Sequence, residues 1–447
     1  MQFNSALTLA LVVCALSGNP AMARSDNADL ASTARWLLGV GQGVYVECSD
    51  GTVLLAQAAG EAVHPASVSK VPTTLALLRR LGPNYRFTTT VAVTGGLQAG
   101  TVGGDLLIEG GGDPYFVDEN ALLVAGRLRQ LGVRHIAGAL RTSGELMFNW
   151  RSDALMPRLR AVLTGTAPAA AWASVRSAFP GLADFAAAAA VDAPGSPALT
   201  FGDMPLPAST GATPVTLLTH HSQPLVPLVK ALNDFSNNIF KPLADAAGGA
   251  EAVQTLARAA VPESMRAEIT LVDGAGTDAR NRLSPRAAVK LLRALELELQ
   301  RSGHTLVDIL PVAGVDEGTL RERLNGPNES GRIVGKTGTF GDYGASALAG
   351  AIRTTDRGTV YFAILNHGVP VPLARKRQDA MVRALLAHLH TVPWVYVPDA
   401  RPAISRAEVL ADGASGSRRP DKDLQWYAGQ AGYAHRDRRP YAGSPRL

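Results

Sequence analysis

The order of apolar and polar positions divides the chain into short strand-like runs and longer helical ones. Val44-Tyr45-Val46-Glu47-Cys48 reads as a strand, Ser49-Asp50-Gly51 as a turn and Thr52 to Ala56 as the returning strand. Thr73 to Leu81 is an apolar helical stretch closed by Gly82-Pro83, which puts Ser67-Val68-Ser69-Lys70 at the start of that helix. Phe87 to Val93 and Gly104 to Ile108 are strand-like, Ala121 to Leu131 is helical, and Arg134 to Leu140 returns as a strand. Leu225 to Leu243 reads as one helix, and Ala287 to Leu299 as another, opened by Ser284-Pro285 at its cap and first turn. Arg332 to Gly335 is extended and runs into Lys336-Thr337-Gly338-Thr339. Ala345 to Ile352 and Val360 to Leu365 read as strands, and Asp379 to Leu389 as a closing helix.

This pattern divides the chain into a catalytic-size unit at 24–90 and 216–397, an inserted accessory unit at 91–215, and a basic tail at 398–447. Residues 151–215 are rich in Ala and Pro with weak periodicity. After Pro398 the chain is polar and rich in Arg, Gly and Pro, and is expected to be disordered. Residues 1–23 read as a secretory leader: Ala6 to Leu16 is apolar or small, Ser17, Gly18 and Pro20 break it, and Ala21-Met22-Ala23 offers the small residues of a cleavage site. That stretch is too short for a lasting membrane anchor. An exported protein, periplasmic or extracellular, is the expectation. Cleavage there leaves Cys48 as the one cysteine, which excludes an intrachain disulfide and zinc clusters of the Cys-x-x-Cys kind.

Composition changes this picture little. The 447 residues are 46% hydrophobic and 18% charged, an ordinary globular balance. The net charge of +5 is mild, and the basic residues form no single run. Nucleic acid is therefore not the expected partner, whereas a polyanionic cell wall or membrane face is compatible with peripheral association.

Three short motifs occur in order: Ser67-x-x-Lys70, Ser236-Asn237-Asn238 and Lys336-Thr337-Gly338. A serine hydroxyl needs a base, and residues i and i+3 share a helix face, so Lys70 can reach Ser67 Oγ. A lysine serves as base only when burial or a neighbouring cation lowers its pKa, and Lys336 is a candidate for that cation. A helix start at Ser67 also directs backbone N–H groups towards developing negative charge. The chain holds seven lysines against thirty-six arginines, yet both motif positions carry the residue that can give up its proton. Taken singly, each motif has a plainer use: a helix cap, a polar loop, a strand exit. His220-His221 and His388-x-His390 lack the partners of a metal site, so no metal or cofactor is expected. Gly110-Gly111-Gly112-Asp113-Pro114 reads as a tight turn, since no Gly-Lys-Ser/Thr follows. No Gly-x-Ser-x-Gly elbow is present.

These residues resemble the penicillin-binding D-alanyl-D-alanine carboxypeptidases of the S13 peptidase type, the low-molecular-mass class C enzymes. The resemblance includes His64-Pro65-Ala66-Ser67-Val68-Ser69-Lys70, Gly104-Asp105-Leu106 with Gly110 to Pro114, and Asn233 to Asn238. It continues through Asp273-Gly274-Ala275-Gly276 with Asn281, Leu310-Pro311-Val312-Ala313-Gly314 with Gly318-Thr319-Leu320, and Gly335 to Thr339. It covers roughly 40–115 and 220–395. It implies an α/β, serine β-lactamase/transpeptidase-like fold, an antiparallel sheet flanked by helices. It implies catalytic roles for Ser67 (nucleophile), Lys70 (base) and Ser236 (proton relay). Substrate binding falls to Asn238, Lys336, Thr337, Gly338 and Thr339, with the N–H groups of Ser67 and Thr339 as oxyanion hole. The partners implied are peptidoglycan stem peptides, with β-lactams as covalent inhibitors. Two departures stand out. The Ser67–Ser236 interval is shorter than in members with two accessory domains, so the insertion is reduced. Asn237 also stands where Asp is more usual.

The activity expected is that of a D,D-carboxypeptidase or D,D-endopeptidase. Two alternatives share the motifs: a β-lactamase, for which no Glu-x-x-x-Asn occurs between 150 and 220, and a non-catalytic wall-binding protein.

Overall fold

The computed structural model describes residues 20–153, 155–180, 199–202, 213–236, 239–341 and 344–412, with side chains from Asp29 onward. The segment read as a leader lies outside them up to residue 19, as does the tail from residue 413. A helix, Pro20–Leu38, runs across the expected cleavage site. Among the described residues no helix is long and apolar enough to cross a membrane.

The hairpin Gly43–Cys48 and Val53–Gln57 forms as its pattern indicates, with Asp50 Oδ1 accepting from the Thr52 N–H at 2.8 Å in the turn. It joins three late strands in the antiparallel order Ile333–Phe340, Ala345–Thr354, Thr359–His367, Gly43–Cys48, Val53–Gln57. The inner strand Ala345–Thr354 is buried on both faces, which is why its sequence is nearly all apolar and small. Helix Pro285–Gln300 covers one face; Ser284 Oγ caps it by accepting from the Ala287 N–H at 3.1 Å. It is pinned to the sheet at Glu47, a fully buried carboxylate that accepts from Lys290 at 2.7 and 2.6 Å, from Arg293, and from the Tyr45 hydroxyl at 2.7 Å. Helices Pro20–Leu38 and Val371–His388 bury Leu30, Ala34, Met381 and Leu385 against the other face.

Three expectations are corrected. The closing helix begins at Val371 rather than at 379, because the early proline sits in its first turn, where no N–H is needed. The helix expected over 225–243 is two helices, Leu225–Asp234 and Phe240–Ala246, broken at Ser236, whose φ is +55°. The apolar spacing continues across the break, so periodicity alone hides it. The tail does not lose order at 398. Ala403–Arg406 forms a turn that buries Ile404, and Glu408–Ala411 pairs antiparallel with Val215–His221. Its arginines read as solvated charge, but Arg401 and Arg406 both donate to Asp399.

That last strand is the edge of a second sheet, ordered Glu408–Ala411, Val215–His221, Thr88–Val93, Leu106–Gly111, Leu140–Glu145. With helices Asp118–Gln130, Leu155–Leu163 and Ala169–Ala178 it encloses a separate core around Val91, Leu106, Leu122 and Trp172. The limits expected at 90/91 and 215/216 fall inside two of its strands. Thr88–Val93 and Val215–His221 are continuous paired strands, which a change in composition along the chain does not mark. His220 is fully buried here against Phe116, and desolvation lowers its pKa to about 3, so it is a neutral core residue.

Candidate active site

Ser67 sits in a single 3-10 turn, Ala66–Ser69, that feeds helix Lys70–Leu81. The turn is clamped from two sides by glycines. A Cβ on Gly276 would lie 1.9 Å from the Ala66 carbonyl oxygen, and one on Gly338 would lie 2.9 Å from the Ser67 nitrogen. Ala66 itself holds φ +47°, a left-handed conformation that costs a non-glycine residue about 1–3 kcal/mol and persists only where its surroundings impose it. His64 braces the same turn: its Nδ1 accepts from the Ala66 N–H at 3.1 Å, and its Nε2 lies 3.0 Å from the Asp278 carbonyl oxygen. Burial holds His64 below the usual histidine pKa, consistent with a neutral ring that donates through Nε2. The Asp278 loop winds around one carboxylate, Asp273, which accepts from the N–H groups of Gly276, Thr277 and Asp278 at 2.9, 2.6 and 2.9 Å and from Asn281 Nδ2 at 3.0 Å. Thr73 ties that loop to the nucleophile helix through the Gly274 carbonyl at 2.6 Å.

One turn on, Lys70 is fully buried, with Nζ 3.0 Å from Ser67 Oγ, 2.8 Å from the Ser236 carbonyl oxygen and 3.4 Å from Ser236 Oγ. The Phe240 ring is 5.5 Å away and supplies an apolar wall. Desolvation first, and the Lys336 ammonium second, push the Lys70 pKa well below the ordinary lysine value; Asp273 opposes them weakly. A neutral amine can donate to the Ser236 carbonyl and still present a lone pair to the Ser67 hydroxyl. Lys336, on strand Ile333–Phe340, is also fully buried, and burial lowers its pKa to about 7. Its Nζ donates to Ser236 Oγ at 2.8 Å and to the Thr337 carbonyl at 3.1 Å. Ser236 is held at the turn that ends helix Leu225–Asp234, with its N–H on the Asn233 carbonyl at 3.2 Å.

The structure therefore brings Ser67, Lys70, Ser236, Lys336, Thr337, Gly338 and Thr339 together. Asn237 and Asn238 lie outside the described residues. Gly338 matters through what it lacks, since the Lys336 strand can approach the Ser67 turn only where no side chain intervenes.

The cleft in front of Ser67 has a volume of about 300 Å3 and is lined also by Thr319, Arg323 and Arg375, three residues that sequence reasoning left without a role. Thr319 Oγ1 accepts from Thr337 Oγ1 at 2.9 Å, and its N–H donates to the Asp234 carbonyl at 2.9 Å. Gly318, at φ +102°, lets the Gly318-Thr319 segment press on the end of helix Leu225–Asp234. Thr319 stood within a motif block that could have marked it; the two arginines carry no local signal.

Comparison with known proteins agrees with this geometry. The model of the D-Ala-D-Ala carboxypeptidase 3 (S13) family matches residues 29–149 and 195–388. The carboxypeptidase DacB of Mycolicibacterium smegmatis is 28% identical over 383 residues, covering 78% of this chain and 80% of that relative. Among solved structures, the penicillin G-acylated predatory endopeptidase Bd3459 of Bdellovibrio bacteriovorus, in complex with its immunity protein, superposes with a TM-score of 0.66. It is 22% identical and covers 82% of this chain and 99% of its own. Penicillin-binding protein 4 of Haemophilus influenzae gives a TM-score of 0.54 at 17% identity, covering 80% and 99%. The structural likenesses establish a transpeptidase-like fold.

Proposed function

The chain belongs to the D-Ala-D-Ala carboxypeptidase 3 (S13) family, and from that premise we propose the path by which its own residues carry the reaction. It is a serine-type D-Ala-D-Ala carboxypeptidase, a hydrolase acting on peptidoglycan peptides. Neutral Lys70 takes the Ser67 proton as Ser67 Oγ attacks the carbonyl of the penultimate D-alanine. The tetrahedral oxyanion is held by the Ser67 and Thr339 N–H groups. The proton passes from Lys70 through Ser236 Oγ to the leaving amine, and the carbon–nitrogen bond breaks. Water then attacks the acyl-enzyme, gives its proton to Lys70, and releases the shortened peptide with Ser67 restored. Lys336 keeps Lys70 unprotonated and orients Ser236. Asn238 holds the substrate amide, and Thr337 and Thr339 its terminal carboxylate. β-Lactams acylate Ser67 as substrate mimics. The same path serves a D,D-endopeptidase on cross-linked stem peptides.

One observation carries this reading: a fully buried lysine amine lies 3.0 Å from the Ser67 hydroxyl, with a second buried amine sharing its Ser236 neighbour. The leader read at 1–23 and the location of the substrate support an exported enzyme, periplasmic or extracellular. The net charge of +5 suits peripheral contact with a polyanionic wall or membrane. The test is D-alanine release from an N-acyl-D-Ala-D-Ala peptide alongside turnover of a chromogenic β-lactam. Peptide turnover with a slowly decaying penicillin adduct is expected. Rapid β-lactam turnover would instead make the protein a β-lactamase, and neither activity would leave a wall-binding protein.

A further inference from the structure

Helix Leu225–Asp234 ends in a largely buried charge cluster that the reaction path leaves unused. Lys230 Nζ lies 2.5 Å from Asp316 Oδ2 and 3.4 Å from Asp234 Oδ1, so one ammonium serves two carboxylates, and all three side chains are 15% exposed or less. The two acids are not equivalent. Asp316 also accepts from the Val312 N–H and the Tyr396 hydroxyl, both at 2.7 Å, so three donors meet its charge. Asp234 has the longer, weaker contact. With both acids ionised the triad carries one negative charge in excess, and that charge is least compensated at Asp234. The same helix end is tied to the Lys336 strand at two points. The Asp234 carbonyl accepts from the Thr319 N–H at 2.9 Å, and Thr319 Oγ1 accepts from Thr337 Oγ1 at 2.9 Å. Two residues beyond Asp234, Ser236 Oγ accepts from Lys336 Nζ at 2.8 Å. Burial lowers Lys336 to about 7, and the Asp234 charge opposes that fall. Burial raises Asp234 to about 7 against the pull of Lys230, with Asp316 adding to the rise and Lys336 opposing it. Tyr396 faces the cluster as well, its ring 5.0 Å from Lys230 Nζ.

We propose that Asp234 is a positioning residue for the reaction: its carboxylate keeps Lys336 charged, and the Lys336 charge in turn leaves Lys70 as the unprotonated amine beside Ser67. The assignment rests on the acyl-enzyme reading above and adds to it the source of the charge that makes the two lysines differ. Their amines lie 2.8 and 3.4 Å from one hydroxyl and titrate as a pair, so an anion nearer one of them decides which keeps its proton. Asp234 acts through Lys336 and moves no proton itself. Its influence is electrostatic. A glutamate at this position serves, whereas an amide of the same shape does not.

The chain has seven lysines, few enough for each ε-carbon to be followed by NMR in protein carrying isotope-labelled lysine. Lys336→Met assigns the Lys336 signal by its loss. That signal is titrated in the wild type, Asp234→Asn, Asp234→Ala and Asp234→Glu. In both neutral variants Lys336 should lose its proton about one pH unit lower, because the carboxylate that raised its pKa has gone. Either neutral variant suffices if the other does not fold. Asp234→Glu should titrate close to the wild type. Penicillin acylation at neutral pH should fall by up to roughly 10-fold in Asp234→Asn and recover in Asp234→Glu. A Lys336 titration that is the same in the wild type and the neutral variants would overturn the proposal, as would one that moves to higher pH. The NMR titration needs no turnover. A penicillin adduct that persists in Ser67→Ala would overturn the nucleophile assignment instead, so the two failures are read from different measurements.

Discussion

Lys336 Nζ lies 2.8 Å from Ser236 Oγ, and the same oxygen lies 3.4 Å from Lys70 Nζ. One hydroxyl therefore separates two fully buried amines. Each amine raises the cost of charging the other, and burial already penalises both charges. Three consequences follow for the chemistry of the site.

The first concerns pH. Lys70 acts only when neutral, and its pKa lies well below 10.5 through burial and the Lys336 charge. Acylation by penicillin should therefore rise with pH and level off well below the ordinary lysine range. Lys336→Met removes the like charge, so Lys70 holds its proton to higher pH and the acid limb moves up. Stopped-flow acylation across a pH series measures this, and a limb that stays in place or moves down would contradict it.

Ser236 carries the proton but not the bond. Ser236→Ala should slow acylation and D-alanine release about 10²- to 10⁴-fold while the protein still folds. Rapid-quench kinetics with a D-Ala-D-Ala peptide reads the loss, and wild-type rates would remove Ser236 from the path.

Gly338 sets the distance between strand and nucleophile. In Gly338→Ala the new methyl meets the Pro65 carbonyl oxygen and the Ser67 nitrogen, both at 2.9 Å and both backbone. Overpacking of this kind costs about 1–3 kcal/mol. Displacing one oxyanion donor costs roughly 100-fold in rate. Denaturant unfolding and penicillin acylation, measured together, should both show the effect.

The chemistry was legible in the sequence more fully than the frame around it. Ser67, Lys70 and the Lys336-Thr337-Gly338 strand were readable because their spacing is local: three residues on one helix face, or three in one strand. The Ser284-Pro285 start of helix Pro285–Gln300 was readable for the same reason. Arg323 and Arg375 were not, since they reach the cleft only through tertiary packing and arginine is abundant throughout the chain. The break at Ser236 was masked by apolar spacing that fits one long helix. The extended strap at 393–397, at the end of the catalytic unit, was also hidden. Trp394 and Tyr396 face inward while Val395 and Val397 are 89% and 86% exposed, an alternation that does not show because all four residues are apolar or aromatic.

That strap has a measurable role in stability. Tyr396 donates to Asp316 Oδ1 at 2.7 Å, and Lys230 binds Asp316 Oδ2 at 2.5 Å and the Leu310 carbonyl at 2.6 Å. Asp316 is 5% exposed. Lys230→Met leaves its carboxylate buried without a cation and should cost about 3–5 kcal/mol. Tyr396→Phe removes one hydrogen bond to the same charge and should cost about 1–3 kcal/mol. Urea unfolding separates the two, and equal losses would contradict the buried-pair account.

The central claim is that the Ser67 hydroxyl, deprotonated by its neighbour at 3.0 Å, is the atom that becomes covalently bound. Intact-mass and peptide-mapping mass spectrometry after exposure to penicillin G tests it directly. One adduct per chain, on the peptide containing Ser67 and missing from Ser67→Ala, is the predicted result. An adduct on another residue, or one that persists in Ser67→Ala, would contradict the account.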